Sequence, residues 1–178
     1  TYSVSNHFLT FKRGGRREHM SLLPKKFFVT SGFGVSRVSP VGAFDAALKD
    51  AGISECNLVP VSSILPGEAV EVERCDIEPG SITFTVIARC DGTSGETVGA
   101  GICWVKGVDE RGRRYGLVAE EYGNMDEERI RQGLMKKIRE MIELRGMRVE
   151  QGPKMEAKSG KVPEKMYGCA VAALVFVP

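Results

Sequence analysis

At 178 residues, 42% hydrophobic and 27% charged, the chain is sized for one globular domain whose core needs neither disulfides nor a structural metal. Its 25 Lys and Arg against 23 Asp and Glu leave a formal charge of +2, which argues against a dedicated nucleic-acid binder. No apolar run reaches the roughly 20 residues that span a bilayer, so no membrane association is expected, and the N-terminus lacks the apolar stretch of a secretory signal. Cys56, Cys75, Cys90, Cys103 and Cys169 are scattered without a C-x-x-C pair and read as reduced, mostly buried thiols of a cytoplasmic protein.

Residues 1–26 stand apart. The run Lys12-Arg13-Gly14-Gly15-Arg16-Arg17 is basic and aperiodic, and the segment reads as a flexible basic extension ahead of a domain over 27–178. Phe27 to Thr30 reads as a short strand entering a loop at Ser31-Gly32-Phe33-Gly34. Ser39-Pro40 then supplies an N-cap with Pro at the first helical position. Phe44, Ala47, Leu48 and Ala51 recur at helical spacing, and Gly52 is placed to stop the helix. Asn57 to Ser62 reads as a second strand, which Pro60 marks as an edge or a bulge, and Pro66-Gly67 turns the chain.

The middle of the chain is β-rich. Ser81 to Ala88 alternates with period two, Thr97 to Val105 follows a turn at Asp91 to Gly95, and Arg114 to Glu120 follows a turn at Asp109 to Gly112. The three are expected to form an antiparallel meander. A helix is predicted from Asp126 to Arg145, with acidic residues in its first turn, an apolar stripe of Ile130, Leu134, Ile138, Met141 and Ile142, and Gly146 beyond its end. Residues 151–165, polar and holding two Pro and two Gly, read as a surface loop, and Met166 to Val177 as a closing apolar strand. This order predicts an α+β domain with helices packed on sheet faces.

Most catalytic signatures are missing. The two His, His7 and His19, lie in the extension, so neither a Ser-His or Cys-His pair nor a zinc site has its ligands in the body of the chain. Gly32-Phe33-Gly34 lacks the third Gly of a dinucleotide fingerprint, and no phosphate-binding G-x-x-x-x-G-K-S/T loop or G-x-S-x-G elbow occurs. An enzyme made from these residues needs a carboxylic acid, a Lys, or a cofactor built from the chain itself.

Ser62-Ser63 sits at the end of the second predicted strand, and taken alone it reads as a strand-end turn whose hydroxyls bond nearby backbone. Its setting says more. Ala43-Phe44-Asp45-Ala46-Ala47-Leu48, Ala51-Gly52-Ile53 and Asn57-Leu58-Val59-Pro60-Val61-Ser62-Ser63-Ile64-Leu65-Pro66 are followed in order by Gly116-Leu117-Val118-Ala119-Glu120 and Gly168-Cys169-Ala170-Val171-Ala172-Ala173. Together these segments resemble the pyruvoyl-dependent arginine decarboxylase family, from residue 27 to the end of the chain.

The resemblance implies a layered αββα sandwich with largely antiparallel sheets, assembled as a homotrimer of cleaved protomers with active sites between neighbours. It implies a proenzyme cut between Ser62 and Ser63, in which the Ser63 hydroxyl attacks the Ser62 carbonyl. Ser63 thereby becomes a pyruvoyl cofactor, without PLP or metal. Asn57 is the implied donor to the oxyanion of that step, and Ser62 also lines the substrate site. Glu120 is the implied proton donor after decarboxylation. The chain reads Glu120-Glu121-Tyr122 where a single Glu before Tyr is expected, which leaves Glu121 as the second choice. Asp45 is implied to pair with a substrate guanidinium. The activity expected is decarboxylation of L-arginine to agmatine and CO2, a lyase reaction of polyamine biosynthesis. The alternatives are a pyruvoyl enzyme for another amino acid, such as histidine, or an uncleaved, non-catalytic scaffold.

Overall fold

The computed structural model describes residues 22–177; the basic run at 12–17, His7 and His19 lie outside them, and the expected extension is described only from residue 22. In chain order the elements are β1 (Lys26–Ser36), α1 (Pro40–Ala51), β2 (Asn57–Pro60), β3 (Ile64–Pro66), β4 (Val70–Glu71), β5 (Ile82–Thr93), β6 (Thr97–Val108), β7 (Arg114–Gly123), α2 (Glu127–Glu143), β8 (Arg148–Lys161) and β9 (Tyr167–Val177). The strands form two sheets, ordered β2-β5-β9-β1-β4 and β3-β7-β6-β8. Pairing is antiparallel except for β1 with β4 and β2 with β5.

Strand periodicity explains the layering. In β9 the even-numbered Ala170, Ala172, Leu174 and Phe176 face the second sheet, while the odd-numbered Cys169, Val171, Ala173 and Val175 face α1. A strand buried on both faces reads as a continuous apolar run, and it belongs in the middle of its sheet. β6 divides in the same way: Val98, Ala100, Ile102 and Trp104 meet the first sheet, and Cys103 and Val105 meet α2. The layers therefore run α1, first sheet, second sheet, α2, and the α+β sandwich expected from the sequence is the fold. Between the sheets, Phe27 and Trp104 pack edge to face with ring centroids 5.2 Å apart.

The helix ends follow the sequence. The Ser39 side chain accepts from the Gly42 N–H at 3.0 Å, Pro40 opens α1, and Gly52 closes it in the left-handed conformation at φ 71°. Asp126 caps α2 by accepting from Arg129 N–H, and Ile130, Leu134 and Ile138 form its buried stripe.

Three expectations are corrected. Ser31 to Gly34 is not a loop, because β1 continues to Ser36 and pairs with β9 throughout. The glycines there serve close packing: a Cβ on Gly34 would stand 2.2 Å from the Ala47 nitrogen of α1. Gly34→Ala is therefore expected to destabilise the fold by at least about 1–3 kcal/mol, the usual cost of overpacking against backbone, and a lowered urea midpoint would register it.

The meander is also corrected. β6 and β7 form a hairpin, but β5 lies in the other sheet between β2 and β9. The turn at Ser94-Gly95 carries the chain from one sheet to the other rather than between paired strands. Period-two alternation suits either arrangement, since both leave β5 with one face on the core between the sheets.

Finally, residues 151–161 belong to β8, which pairs antiparallel with β6 at the edge of the second sheet. Edge strands are polar because one side meets water, and Lys and Pro discourage further strand addition there. That composition made a strand look like a loop.

Candidate active site

The Ser62-Ser63 link lies where the chain changes sheets. β2 ends as an edge strand of the first sheet, and β3 begins as an edge strand of the second. Val61 N–H still donates to Thr85 O of β5 at 2.9 Å, while Ser63 O accepts from Val118 N–H of β7, also at 2.9 Å. Residues one apart on either side of Ser62 are thus held by different sheets. Between them Ile64 N–H donates to Ser62 O at 3.0 Å, closing a three-residue turn centred on Ser63. The carbonyl of the candidate scissile bond therefore already carries a backbone donor.

Alternation sets the side chains. Leu65 is buried between the sheets and pairs with Gly116, so Ser63, two residues earlier and opposite Val118, shares that face. Ser63 is half-buried, and Ser62 and Ile64 are exposed.

The tandem carboxylates of β7 part in the same way. Val118 faces the first sheet, whereas Leu117 and Ala119 face α2. Glu120 shares the face of Val118, toward the side where the chain crosses. Burial raises its carboxyl above the usual carboxylate range, and the Lys137 ammonium partly offsets that rise. Glu121 points the other way. Its carboxylate accepts from Lys137 Nζ at 3.0 Å, and its side chain is only 16% exposed. The carboxylate lies against Gly133 of α2, where a Cβ would stand 2.2 Å from Glu121 Oε2. Lys137 Nζ also donates to Glu120 O at 2.8 Å.

The other two expected site residues are not gathered at this point. Asn57 Nδ2 donates to Gly80 O at 2.8 Å, at the start of β2. Five residues of extended chain separate it from Ser62, roughly 16 Å at strand rise. Asp45 is exposed on α1, which covers the outer face of the first sheet. That sheet stands between Asp45 and Glu120. One protomer thus brings together Ser62, Ser63 and the β7 strand of Glu120, but not Asp45 or Asn57.

Lys137 and the Ile64 N–H were not anticipated from the sequence. Gly133 was the available signal: glycine in a helix interior costs about 1 kcal/mol relative to Ala, so it needs a packing reason. For the Ile64 N–H there was none, because the turn depends on pairing with a strand more than fifty residues away.

A cavity of about 630 Å³ opens elsewhere, bounded by Gly67 to Glu71, Trp104, Lys106 and Lys154, and none of the five expected site residues lines it. Its charges answer one another. Lys154 pairs with Glu71, and Lys106 donates to the carbonyls of Gly67 and Ala69. Among the described residues no group of three His, Cys, Asp or Glu is arranged to hold a metal ion, and no helix is long and apolar enough to cross a membrane.

The family model described as pyruvoyl-dependent arginine decarboxylase matches residues 26–178. The chain is 38% identical over 157 residues to a pyruvoyl-dependent arginine decarboxylase of Methanopyrus kandleri, covering 86% of this chain and 97% of that one. It is 36% identical over 163 residues to pyruvoyl-dependent arginine decarboxylase 2 of Archaeoglobus fulgidus, covering 89% and 99%. A pyruvoyl-dependent arginine decarboxylase of Methanothermobacter thermautotrophicus is 32% identical over 154 residues, covering 85% and 96%.

Proposed function

The chain belongs to the pyruvoyl-dependent arginine decarboxylase family, and from that premise we propose that it converts L-arginine to agmatine and CO2 with a pyruvoyl group formed from its own Ser63. The observation that carries the assignment is the Ser62-Ser63 link. It is a hydroxyl-bearing residue at the centre of a tight turn, with its neighbours held by two different sheets and a donor already on the Ser62 carbonyl.

Self-cleavage uses these parts in sequence. Ser63 Oγ adds to the Ser62 carbonyl carbon while the Ile64 N–H stabilises the developing oxyanion. The C–N bond breaks, leaving an ester on the Ser63 side chain and a free amine. Loss of the Ser63 Cα proton and rupture of its Cβ–Oγ bond free Ser62 as a carboxylate and leave dehydroalanine. Water then displaces the nitrogen as ammonia. Asn57, too far along β2 to reach the link of its own chain, adds a second donor at the link of a neighbouring protomer.

A pyruvoyl group supplies a ketone carbonyl that draws electrons from the bond to the departing carboxylate. The chain supplies the proton that replaces CO2. Glu120, whose carboxyl burial raises above the usual carboxylate range, gives it to the substrate α-carbon from its protonated form. Asp45 accepts two N–H bonds from the guanidinium, and Ser62 lines the pocket. Because the first sheet separates Asp45 from Glu120 within one chain, a complete site requires neighbouring protomers, which supports a homotrimer. The free thiols Cys56, Cys75, Cys90, Cys103 and Cys169 fit a reducing, cytoplasmic setting.

Intact mass under denaturing conditions tests the proposal. Two fragments meeting between Ser62 and Ser63 are expected, their masses summing to that of the uncut chain plus one water minus one ammonia. Plain hydrolysis adds a water alone. A folded chain that stays whole favours the scaffold alternative. A cut chain that decarboxylates histidine but not arginine overturns the substrate. Asp45→Ala is expected to raise KM for arginine roughly 10- to 100-fold, as loss of hydrogen bonds to a charged group worth about 1.5–3 kcal/mol requires, with kcat little changed. An unchanged KM removes Asp45 from the guanidinium site.

A further inference from the structure

Two adjacent carboxylates on one strand pose a problem of register. A one-residue slip of β7 exchanges which of Glu120 and Glu121 faces the first sheet and which faces α2. The hairpin partner carries no charge here that tells the two carboxylates apart: Glu120 pairs with Ile102, Glu121 with Gly101 and Tyr122 with Ala100. What distinguishes the two glutamates comes from α2. Lys137 Nζ holds the main-chain carbonyl of Glu120 and the side-chain carboxylate of Glu121 at once, at 2.8 and 3.0 Å. Four residues earlier on the same helix face, Gly133 leaves room for the Glu121 carboxylate.

We propose that Lys137 is a positioning residue for the proton donor: by gripping Glu120 O and Glu121 Oε1 together, it fixes Glu121 against α2 and keeps Glu120 turned toward the Ser62-Ser63 crossing. The inference rests on the assignment of Glu120 as the donor. Lys137 itself touches no reacting atom. Burial raises the Glu120 carboxyl, and the Lys137 ammonium nevertheless opposes that rise. On the face that Glu120 shares, Ile102 of β6 lies directly opposite, and Glu156 of β8 lies beyond it in the same register, its Oε1 accepting from Ser31 Oγ of β1 at 2.6 Å.

The test compares Lys137→Met with Lys137→Arg in the full, self-cleaved protein. In Lys137→Met, intact mass is expected to report complete cleavage and KM for arginine to stay within about twofold. kcat is expected to fall roughly 10- to 100-fold, because a misplacement on the order of 1 Å costs up to about 10²-fold. Lys137→Arg is expected to restore most of kcat. A second readout needs no turnover. Titration of the Glu120 carboxyl carbon by NMR, without substrate, is expected to give a higher midpoint in Lys137→Met and the wild-type midpoint in Lys137→Arg. Wild-type kcat together with an unmoved midpoint in Lys137→Met overturns the inference. So does a loss of kcat that merely follows a loss of cleavage. If the wild-type protein fails to turn over arginine, the substrate assignment fails by itself, and the Glu120 midpoint still decides the role of Lys137.

Discussion

Replacing Ser63 by Ala is expected to give a single uncut chain with no decarboxylase activity. The expectation comes from bond connectivity more than from energetics. An alkyl side chain has no oxygen to receive the Ser62 acyl group and no leaving group on Cβ, so neither the ester nor the alkene can form. The fold has little reason to object. Ser63 makes its structural contribution through backbone, with its carbonyl accepting from Val118 N–H and the turn around it closed by Ile64 N–H. Removing one half-buried hydroxyl at such a position leaves these bonds in place, and surface changes of that kind stay within about 0.5 kcal/mol. Intact mass and a urea melt on one preparation therefore separate two outcomes: an uncut, stable, inactive chain supports the chemistry, and a chain still cut between the same residues refutes it. The uncut variant is also the proper reference for the crossing. Cleavage severs the only covalent tie between β2 and β3, after which three residues of β3 pairing with β7 hold the new end in place. Faster amide exchange at Ile64 and Leu65 in the cleaved protein than in Ser63→Ala is the corresponding observation.

What the sequence disclosed follows the range of the interactions involved. The termini of α1 were legible because Ser39, Pro40 and Gly52 act on their own backbone neighbours. The stripe of α2 and the apolar run of β9 were legible because each element buries a face set by its own period. Pairing partners were not legible. β5 alternates equally well beside β6 or beside β9, and only the doubly buried β9, which must lie inside a sheet, settles the choice. Gly32 and Gly34 look like a loop until α1 is brought onto them, and β8 looks like a loop until its place at a sheet edge explains its charge. The site divides similarly. Ser62-Ser63 and Asp45 were singled out through family resemblance, since neither pair nor spacing distinguishes them from a turn and a solvated helix residue. Which of Glu120 and Glu121 faces the first sheet needed α2, because alternation says that the two point opposite ways without saying which way each points.

Glu120→Gln is expected to leave self-cleavage intact and to lower kcat for arginine by about 10²–10⁴, the usual worth of a positioned general acid. The amide keeps the shape and loses the proton that the substrate α-carbon must receive. Glu121→Gln serves as the comparison: it removes the carboxylate held by Lys137 but not the donor, and its effect is expected to be much smaller. A reversed order of effects moves the donor to Glu121. The pH profile sharpens the test. Glu120 acts when protonated, and burial raises its pKa above the ordinary carboxylate value, so turnover is expected to fall as pH rises through that raised value. In Glu120→Gln that limb is expected to vanish along with most of the rate. The substitution that lowers the rate should raise the stability near neutral pH. With the folded-state pKa above the unfolded one, the folded chain holds the proton more tightly. The stabilisation from that proton is fully present below the unfolded value and is lost as pH rises through the folded value. Near neutral pH the wild type thus carries a half-buried group that is costly to ionise, and Gln carries none. A Glu120→Gln protein that unfolds at higher urea than wild type near neutral pH, yet no differently at acid pH, would identify Glu120 as a residue kept for its proton at the expense of the fold.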